Sequence, residues 1–256
     1  MTSMDEEEPG RPAATVVIVR DRKHAPAELL MVERAKTMAF APGALVFPGG
    51  GVDAADVALA QKMGLADVED GAARIAAVRE TIEEAGLALG VPGADAVSAL
   101  RLRDGLMQGR SLGEMLDILG LMLDLEALTP FARWHPAPFD KARRVYDARF
   151  YVARAPFNQM ASVDTTENVS LFWASASDVL ARADAGKGRI IYPTRRNLER
   201  LAQFEDHTTI VAHARTIPVE KIRPWMEERD GCRYLCIPTH LGYPVTAEPM
   251  ERAVRG

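Results

Sequence analysis

The stretch Arg79-Glu-Thr-Ile-Glu-Glu-Ala-Gly-Leu87 places three carboxylates on one side of a helix. Asp70 is positioned to cap the start of that helix, and no proline or further glycine interrupts it between Gly71 and Glu84. Gly86 is positioned to end it. Ile75, Val78, Ile82 and Ala85 recur at helical spacing and form an apolar stripe that has to be buried. Glu80, Glu83 and Glu84 lie three or four positions apart on another side, so their side chains converge. Like charges at this spacing repel by roughly 0.2–0.5 kcal/mol per pair on an exposed surface, and by more as they are buried. A hard divalent cation such as Mg²⁺ or Mn²⁺ prefers oxygen ligands and relieves that repulsion. The competing reading is a solvated acidic face, which is common on helices.

The residues upstream weigh against that second reading. Phe47-Pro-Gly-Gly-Gly51 follows the β-leaning run Ala44-Leu-Val46, and three glycines after a proline let backbone groups approach a ligand closely. A glycine turn followed by Arg-Glu-x-x-Glu-Glu-x-Gly-Leu resembles the signature of the Nudix hydrolases, Gly-x5-Glu-x7-Arg-Glu-U-x-Glu-Glu-x-Gly-U, with U a bulky aliphatic residue. Thr81 stands at one aliphatic position. If Gly50 opens the motif, Arg79 lies 29 positions on instead of 14, so an insertion of 15 residues separates turn from helix. The place of the signature's first glutamate holds Gly71; either Glu69 or Asp70 substitutes, or that role is missing. The segment Phe47-Pro-Gly-Gly-Gly-Val-Asp53-Ala-Ala-Asp56 resembles the coenzyme A diphosphatase-like branch, in which a Phe-Pro-Gly-Gly-x-x-Asp-x-x-Asp pattern and a longer spacer are familiar. Leu30-Met-Val-Glu-Arg34-Ala and Phe40-Ala-Pro-Gly43 stand where that branch carries a strand ending in arginine and a second glycine turn.

The resemblance implies an α/β fold, a Nudix-type α/β/α sandwich with a mixed sheet, here with an inserted helical segment over about 93–138. It also implies water attack on a diphosphate, with Gly50 (through its carbonyl), Glu80, Glu83 and Glu84 holding Mg²⁺ or Mn²⁺ and Arg79 orienting the glutamates. The general base would be Glu80 or the late-loop Glu167. Gly49 and Gly50 would meet substrate with Arg34, a guanidinium at a strand end whose alternative is a plain surface arginine. The expected activity is that of a diphosphatase acting on a nucleoside diphosphate linked to another group, with coenzyme A or an acyl derivative favoured. The alternatives are NADH or nucleotide-sugar cleavage, or a ligand sensor without catalysis.

Composition bounds the remaining classes. At 256 residues, 48% apolar and 26% charged, the chain can bury a full core. A net charge of −5 gives no basic footprint for nucleic acid. No apolar run approaches the roughly 20 residues that span a bilayer. No secretion signal or Ser-Lys-Leu address is visible, so a cytoplasmic enzyme is expected. The two cysteines, Cys232 and Cys236, lack metal-site partners and are expected as small buried residues on one strand face.

Along the chain, residues 1–12 read as a disordered acidic tail and 13–256 as one domain. Thr15-Val-Val-Ile-Val19 is a central strand with Glu28–Arg34 as its hairpin partner. Val57–Gly64 is a short helix, with Asp53 and Asp56 as caps or extra acidic ligands. No strand alternation is visible from Pro92 to Pro138. Ser111-x-x-Glu114 is a capping box, and Leu112, Met115, Leu116, Leu119, Met122 and Leu123 form a stripe on a helix running to Asp124. That stripe packs on its own domain, lines the substrate cleft or meets a second subunit in a homodimer. Trp134 and His135 fall in a loop. Strands are expected at Tyr146–Ala153 and Leu171–Trp173, helices at Ala176–Ala183, Thr194–Phe204 and Asp206–Ala214, and a last strand at Tyr234–Ile237.

Overall fold

Thr15-Val-Val-Ile-Val19 becomes the middle of the sheet, because each side chain from Val16 to Val19 finds an apolar layer on one face or the other. The computed structural model describes residues 10–38, 41–137, 145–163 and 168–253. Strands β1 (Arg11–Arg22), β2 (Ala25–Arg34), β3 (Leu45–Val46) and β4 (Gly49–Gly51) come first. Helices α1 (Ala54–Lys62), α2 (Val68–Ala85), α3 (Ala96–Met107) and α4 (Leu112–Leu119) follow. Then come β5 (Thr129–Trp134), β6 (Tyr146–Arg154), β7 (Asn168–Ala174), α5 (Ala176–Asp184), α6 (Tyr192–Leu201) and α7 (His207–Thr216). Strands β8 (Lys221–Ile222), β9 (Trp225–Arg229), β10 (Cys232–Cys236) and β11 (Ala247–Pro249) and the short helix α8 (Met250–Ala253) complete the described chain.

The main sheet runs β3-β2-β1-β6-β5-β8, with β4 also on β1 and β7 also on β2. It is mixed: β1 is parallel to β6 and antiparallel to β2. Val16 and Ile18 point to a layer with Leu30, Tyr151 and the α2 residues Ile75, Val78 and Ile82. Val17 and Val19 point to the opposite layer, with Leu29, Phe131, Val152, Val179, Leu198 and Ile210. Burial on both faces explains why Val16–Val19 is continuously apolar instead of alternating. The result is the α/β/α sandwich that the sequence led us to expect.

Several local expectations need correction. Helix α2 starts earlier than Gly71: Asp67 is its cap and accepts the Asp70 N–H at 2.9 Å. Asp70 is thereby released to take Arg74 at 2.7 Å and the Tyr151 hydroxyl at 2.8 Å. Gly86, at φ 68°, does end the helix. The Ser111 capping box forms, but α4 stops at Leu119 because Gly120 turns left-handed at φ 64°. Leu112, Met115 and Leu116 are buried with Ala99, Leu102 and Leu106, Leu119 and Leu123 pack against the same cluster, and Met122 is 79% exposed beyond the helix. The stripe therefore serves this chain's own core.

Thr129–Trp134 is a strand where none was expected. Pro130 and burial on both faces hide its alternation, and a register shift between Pro130 and Ala132 breaks the pairing pattern with β6. Trp134 thus closes a strand instead of sitting in a loop. Tyr234–Ile237 is not the last strand: it belongs to a three-stranded sheet, β11-β10-β9. Only Cys236 is buried there; Cys232 is exposed at the hairpin end. Strand β1 begins at Arg11, inside the expected tail, and residues 1–9 lie outside the described residues. No described helix is long and apolar enough to cross a membrane.

Candidate active site

Strand β4 brings the glycine turn onto α2. Gly51, Gly50 and Gly49 pair with Ala13, Ala14 and Thr15. Gly49 sits at φ 154°, and a Cβ there would strike the Ala14 carbonyl, so only glycine suits the position. At Gly50 a Cβ would strike the Glu80 carboxylate, so glycine is what lets the acidic helix approach the turn. The Gly49 N–H donates to Glu84 Oε2 at 3.0 Å, and the Gly51 carbonyl accepts from Arg79 Nη2 at 2.8 Å. Turn and helix are thereby locked from both sides.

Arg79 is the hub of this arrangement. Its Nε and Nη2 reach Asp56 at 3.0–3.3 Å, while Nη1 reaches Glu80 at 2.8 Å and Glu83 at 3.3 Å. Burial works against the Arg79 charge, but Asp56, Glu80 and Glu83 more than offset it and hold the guanidinium firmly protonated. Asp56 is 2% exposed and also accepts the Asp53 N–H at 2.9 Å, so it caps α1 and anchors Arg79 together. Neither Glu69 nor Asp70 does this. They sit at the other end of α2, where Glu69 pairs with Arg149 and Arg133, and Asp70 with Arg74. The insertion between turn and helix thus supplies, through α1, the buried acid that the signature's own position lacks.

Three carboxylates crowd the exposed side of this hub. Burial, above all, pushes Glu80 up to about 7; Arg79 pulls it down, and Glu84 and Glu83 raise it again. Glu83 is likewise raised, chiefly by burial. Glu84 is buried and faces Arg34, with Oε1 3.8 Å from Nη1. Convergence of the three into a ready-made cage is not observed: among the described residues, no group of three His, Cys, Asp or Glu side chains is arranged to hold a metal ion. Each carboxylate is instead turned onto Arg79, Arg34 or the glycine backbone, the positive groups within its reach.

Glu167 and Asp164 lie outside the described residues. On either side of them, the Ser162 N–H donates to the Ala85 carbonyl at 2.9 Å and Asn168 pairs with Arg34, so the chain enters and leaves that segment against α2 and β2.

In front of the turn lies a cleft of about 330 Å³. Arg34, Phe47 and Gly49–Gly51 line it on one side, and Trp134, Phe150 and Tyr192 on another. The Trp134 ring meets Tyr192 edge-on at 6.1 Å and Tyr243 at 5.7 Å, and its Nε1 donates to Asn197 at 3.3 Å. Mostly apolar walls with one guanidinium at the mouth of an acidic centre suit a ligand with a charged middle and an apolar or aromatic flank. Sequence reasoning missed Asp56 as the Arg79 anchor, although it stood in the quoted Asp-x-x-Asp pattern. It also missed Trp134 and Tyr192, which nothing local connects with the glycine turn.

No family model matches the chain. It is 26% identical to the acyl-coenzyme A diphosphatase NUDT19 of Gallus gallus over 264 residues, covering 78% of this chain and 67% of that protein. Among solved structures, it is similar to a Nudix hydrolase from Alicyclobacillus acidocaldarius, with a TM-score of 0.69 and 29% identity, covering 80% of this chain and 96% of that one.

Proposed function

The chain is a Nudix hydrolase resembling the coenzyme A diphosphatase-like branch, and from that premise we propose that it splits the diphosphate of coenzyme A or an acyl derivative. The products are adenosine 3′,5′-diphosphate and a 4′-phosphopantetheine or its acyl form. The observation that carries this reading is the seating of Glu80 against Gly50, which brings an acidic centre to the mouth of a cleft that offers aromatic walls and a single cation. The 26% identity to a diphosphatase of acyl-coenzyme A supports the choice of substrate.

A divalent ion, Mg²⁺ or Mn²⁺, fits the residues present. Burial, above all, pushes Glu80 up to about 7 against the pull of Arg79, with Glu84 and Glu83 adding to the rise, and a cation beside these carboxylates would relieve both penalties. Carboxylate and carbonyl oxygens are the donors that hard cations take. Glu80, Glu83, Glu84 and the Gly50 carbonyl would hold the ion, which when bound supplies stabilisation of charge on phosphate oxygens. Arg79, pinned by Asp56, fixes the rotamers of Glu80 and Glu83. Gly49 and Gly50 line the cleft and would meet the diphosphate through their backbone. Arg34 neutralises a phosphate oxygen by charge-assisted hydrogen bonding. Glu80 or Glu167 takes the proton from the attacking water. A cytoplasmic setting belongs to the same proposal.

The test is a substrate panel of coenzyme A, acetyl-coenzyme A, NADH, a nucleotide sugar and a dinucleoside polyphosphate, with Mg²⁺ or Mn²⁺ and products resolved by mass. The highest kcat/KM is expected for coenzyme A or its thioester. A clearly higher kcat/KM for NADH or a nucleotide sugar replaces the substrate assignment.

A further inference from the structure

The last turn of α2 carries two of the three carboxylates of the acidic face, Glu83 and Glu84. A helix holds its own last turn least, because its final carbonyls have no partner within it and its ends fray. Here each of the last four carbonyls is met from beyond the helix. The Gly86 N–H donates to the Ile82 carbonyl at 3.0 Å, and the Ser162 N–H donates to the Ala85 carbonyl at 2.9 Å. The two between them go to Arg103. Its Nε donates to the Glu83 carbonyl at 2.9 Å and its Nη2 to the Glu84 carbonyl at 3.4 Å. Nη1 donates to Ser162 Oγ at 2.8 Å, so one guanidinium also holds the segment that meets Ala85.

Arg103 comes from α3, the first helix of the inserted segment. Leu102 and Leu106 beside it are buried with Ile82, Ala85 and Leu87, which fixes α3 against the end of α2. Gly86 gives the guanidinium its room: at φ 68°, a Cβ there would lie 3.1 Å from Ser162 Oγ and 3.3 Å from Arg103 Nη1. Among the described residues, the hydrogen bonds of Arg103 go to neutral oxygens, so a carboxylate does not account for its place. A cation at a helix C-terminus is favoured by the dipole at any helix. What is particular here is which carbonyls it takes, those of Glu83 and Glu84 themselves.

We propose that Arg103 is a positioning residue for the metal site. It fixes the backbone of Glu83 and Glu84, and with it the direction from which their carboxylates meet a divalent ion. The inference rests on the reading of the acidic face of α2 as that site, and it gives the inserted helix α3 a part in the chemistry.

Binding of Mn²⁺ alone to the full chain, read from the loss of the free ion's electron paramagnetic resonance signal, tests this without substrate or turnover. Electrostatics and positioning predict opposite signs. Removing a positive charge near a cation site leaves binding unchanged or tightens it, whereas loosening the ligands weakens it. Arg103→Met keeps the aliphatic stem and removes every donor. Its Kd for Mn²⁺ is expected to rise about tenfold, the lower end of what losing a partner behind a metal ligand costs. Arg103→Gln takes its place, with the same expectation, should the methionine variant not fold. Arg101, exposed on the same helix, supplies the control: Arg101→Met removes the same charge and should leave Kd unchanged. Unchanged or tighter binding in the Arg103 variant overturns the proposal and leaves the metal site standing, as does an equal weakening in Arg101→Met. No uptake of Mn²⁺ by the wild type overturns the reading of the acidic face, and the proposal with it.

Discussion

Asp56 and Arg79 face each other from α1 and α2, both buried, with Oδ2 3.0 Å from Nη2. A salt bridge in that setting gains little over an apolar pair, but removing one partner strands the other charge, at a cost of roughly 3–5 kcal/mol. Asp56→Ala is therefore expected to lower unfolding free energy by about 3 kcal/mol and to reduce kcat, since the Arg79 contacts to Glu80 and Glu83 lose their anchor. Urea denaturation alongside steady-state kinetics checks both. Unchanged stability would show that Arg79 is held without Asp56.

Gly50→Ala separates the site from the fold. The added methyl meets the end of a flexible carboxylate and not backbone, so Glu80 swings away and the fold survives. Melting temperature is expected to move by only a few degrees, with kcat down at least about tenfold, a loss of roughly 1.4 kcal/mol of transition-state stabilisation. Full activity in a folded variant would show that the Gly50–Glu80 approach is incidental.

The distinction between elements set locally and elements set by the fold governs how much the sequence disclosed. Strand β1 and the Ser111 capping box were legible because period and capping residue sit within a few positions of one another, and helix α2 was legible from its apolar period and its closing Gly86, although its cap proved to be Asp67 and not Asp70. The pairing of glycine turn with acidic helix was legible only through the motif that joins them. Asp56 as the Arg79 anchor was not, because the partners are 23 residues apart and a capping role explained the aspartate equally well. Strand β5 was hidden by a proline and by burial on both faces. The cleft was beyond reach: it gathers Phe47, Trp134 and Tyr192 from β3's exit, β5 and α6, and only the sheet order makes them neighbours.

Helix α4 yields a paired test. Leu116 is 5% exposed in the core, so Leu116→Asp places a carboxylate among Leu and Met side chains and should cost at least about 3 kcal/mol. Met122, outside the helix and in solvent, should tolerate Asp within about 0.5 kcal/mol. Thermal melts and sizing chromatography read the pair. A Leu116→Asp chain that melts normally but changes from dimer to monomer would move the stripe from core to interface.

Alkaline pH gives another. Tyr243 donates to Asn197 at 2.9 Å, and burial, above all, pushes its hydroxyl up to about 12, against the opposing pull of Arg200. An unfolded tyrosine titrates near 10, so the neutral form is favoured in the fold. That contribution is fully present below pH 10 and is lost as the pH rises from about 10 through 12, amounting to about 3 kcal/mol. Tyr243→Phe should flatten part of this alkaline decline, with Tyr192, also pushed up to about 12, retaining a share. Identical pH–stability curves for wild type and variant would contradict the assignment.

The central claim is that the acidic face of α2 holds the ion on which diphosphate cleavage depends. Its most direct test is kcat/KM for coenzyme A as Mg²⁺ is titrated, in the wild type and in Glu83→Gln and Glu84→Gln, variants that remove one charge each and keep the shape. The account predicts no turnover in chelator, saturation with Mg²⁺ in the wild type, and a fall of at least about a hundredfold in each variant with melting temperature nearly preserved, a loss of several kcal/mol of metal-derived stabilisation. Full turnover in chelator, or wild-type kcat/KM in both variants, would contradict it.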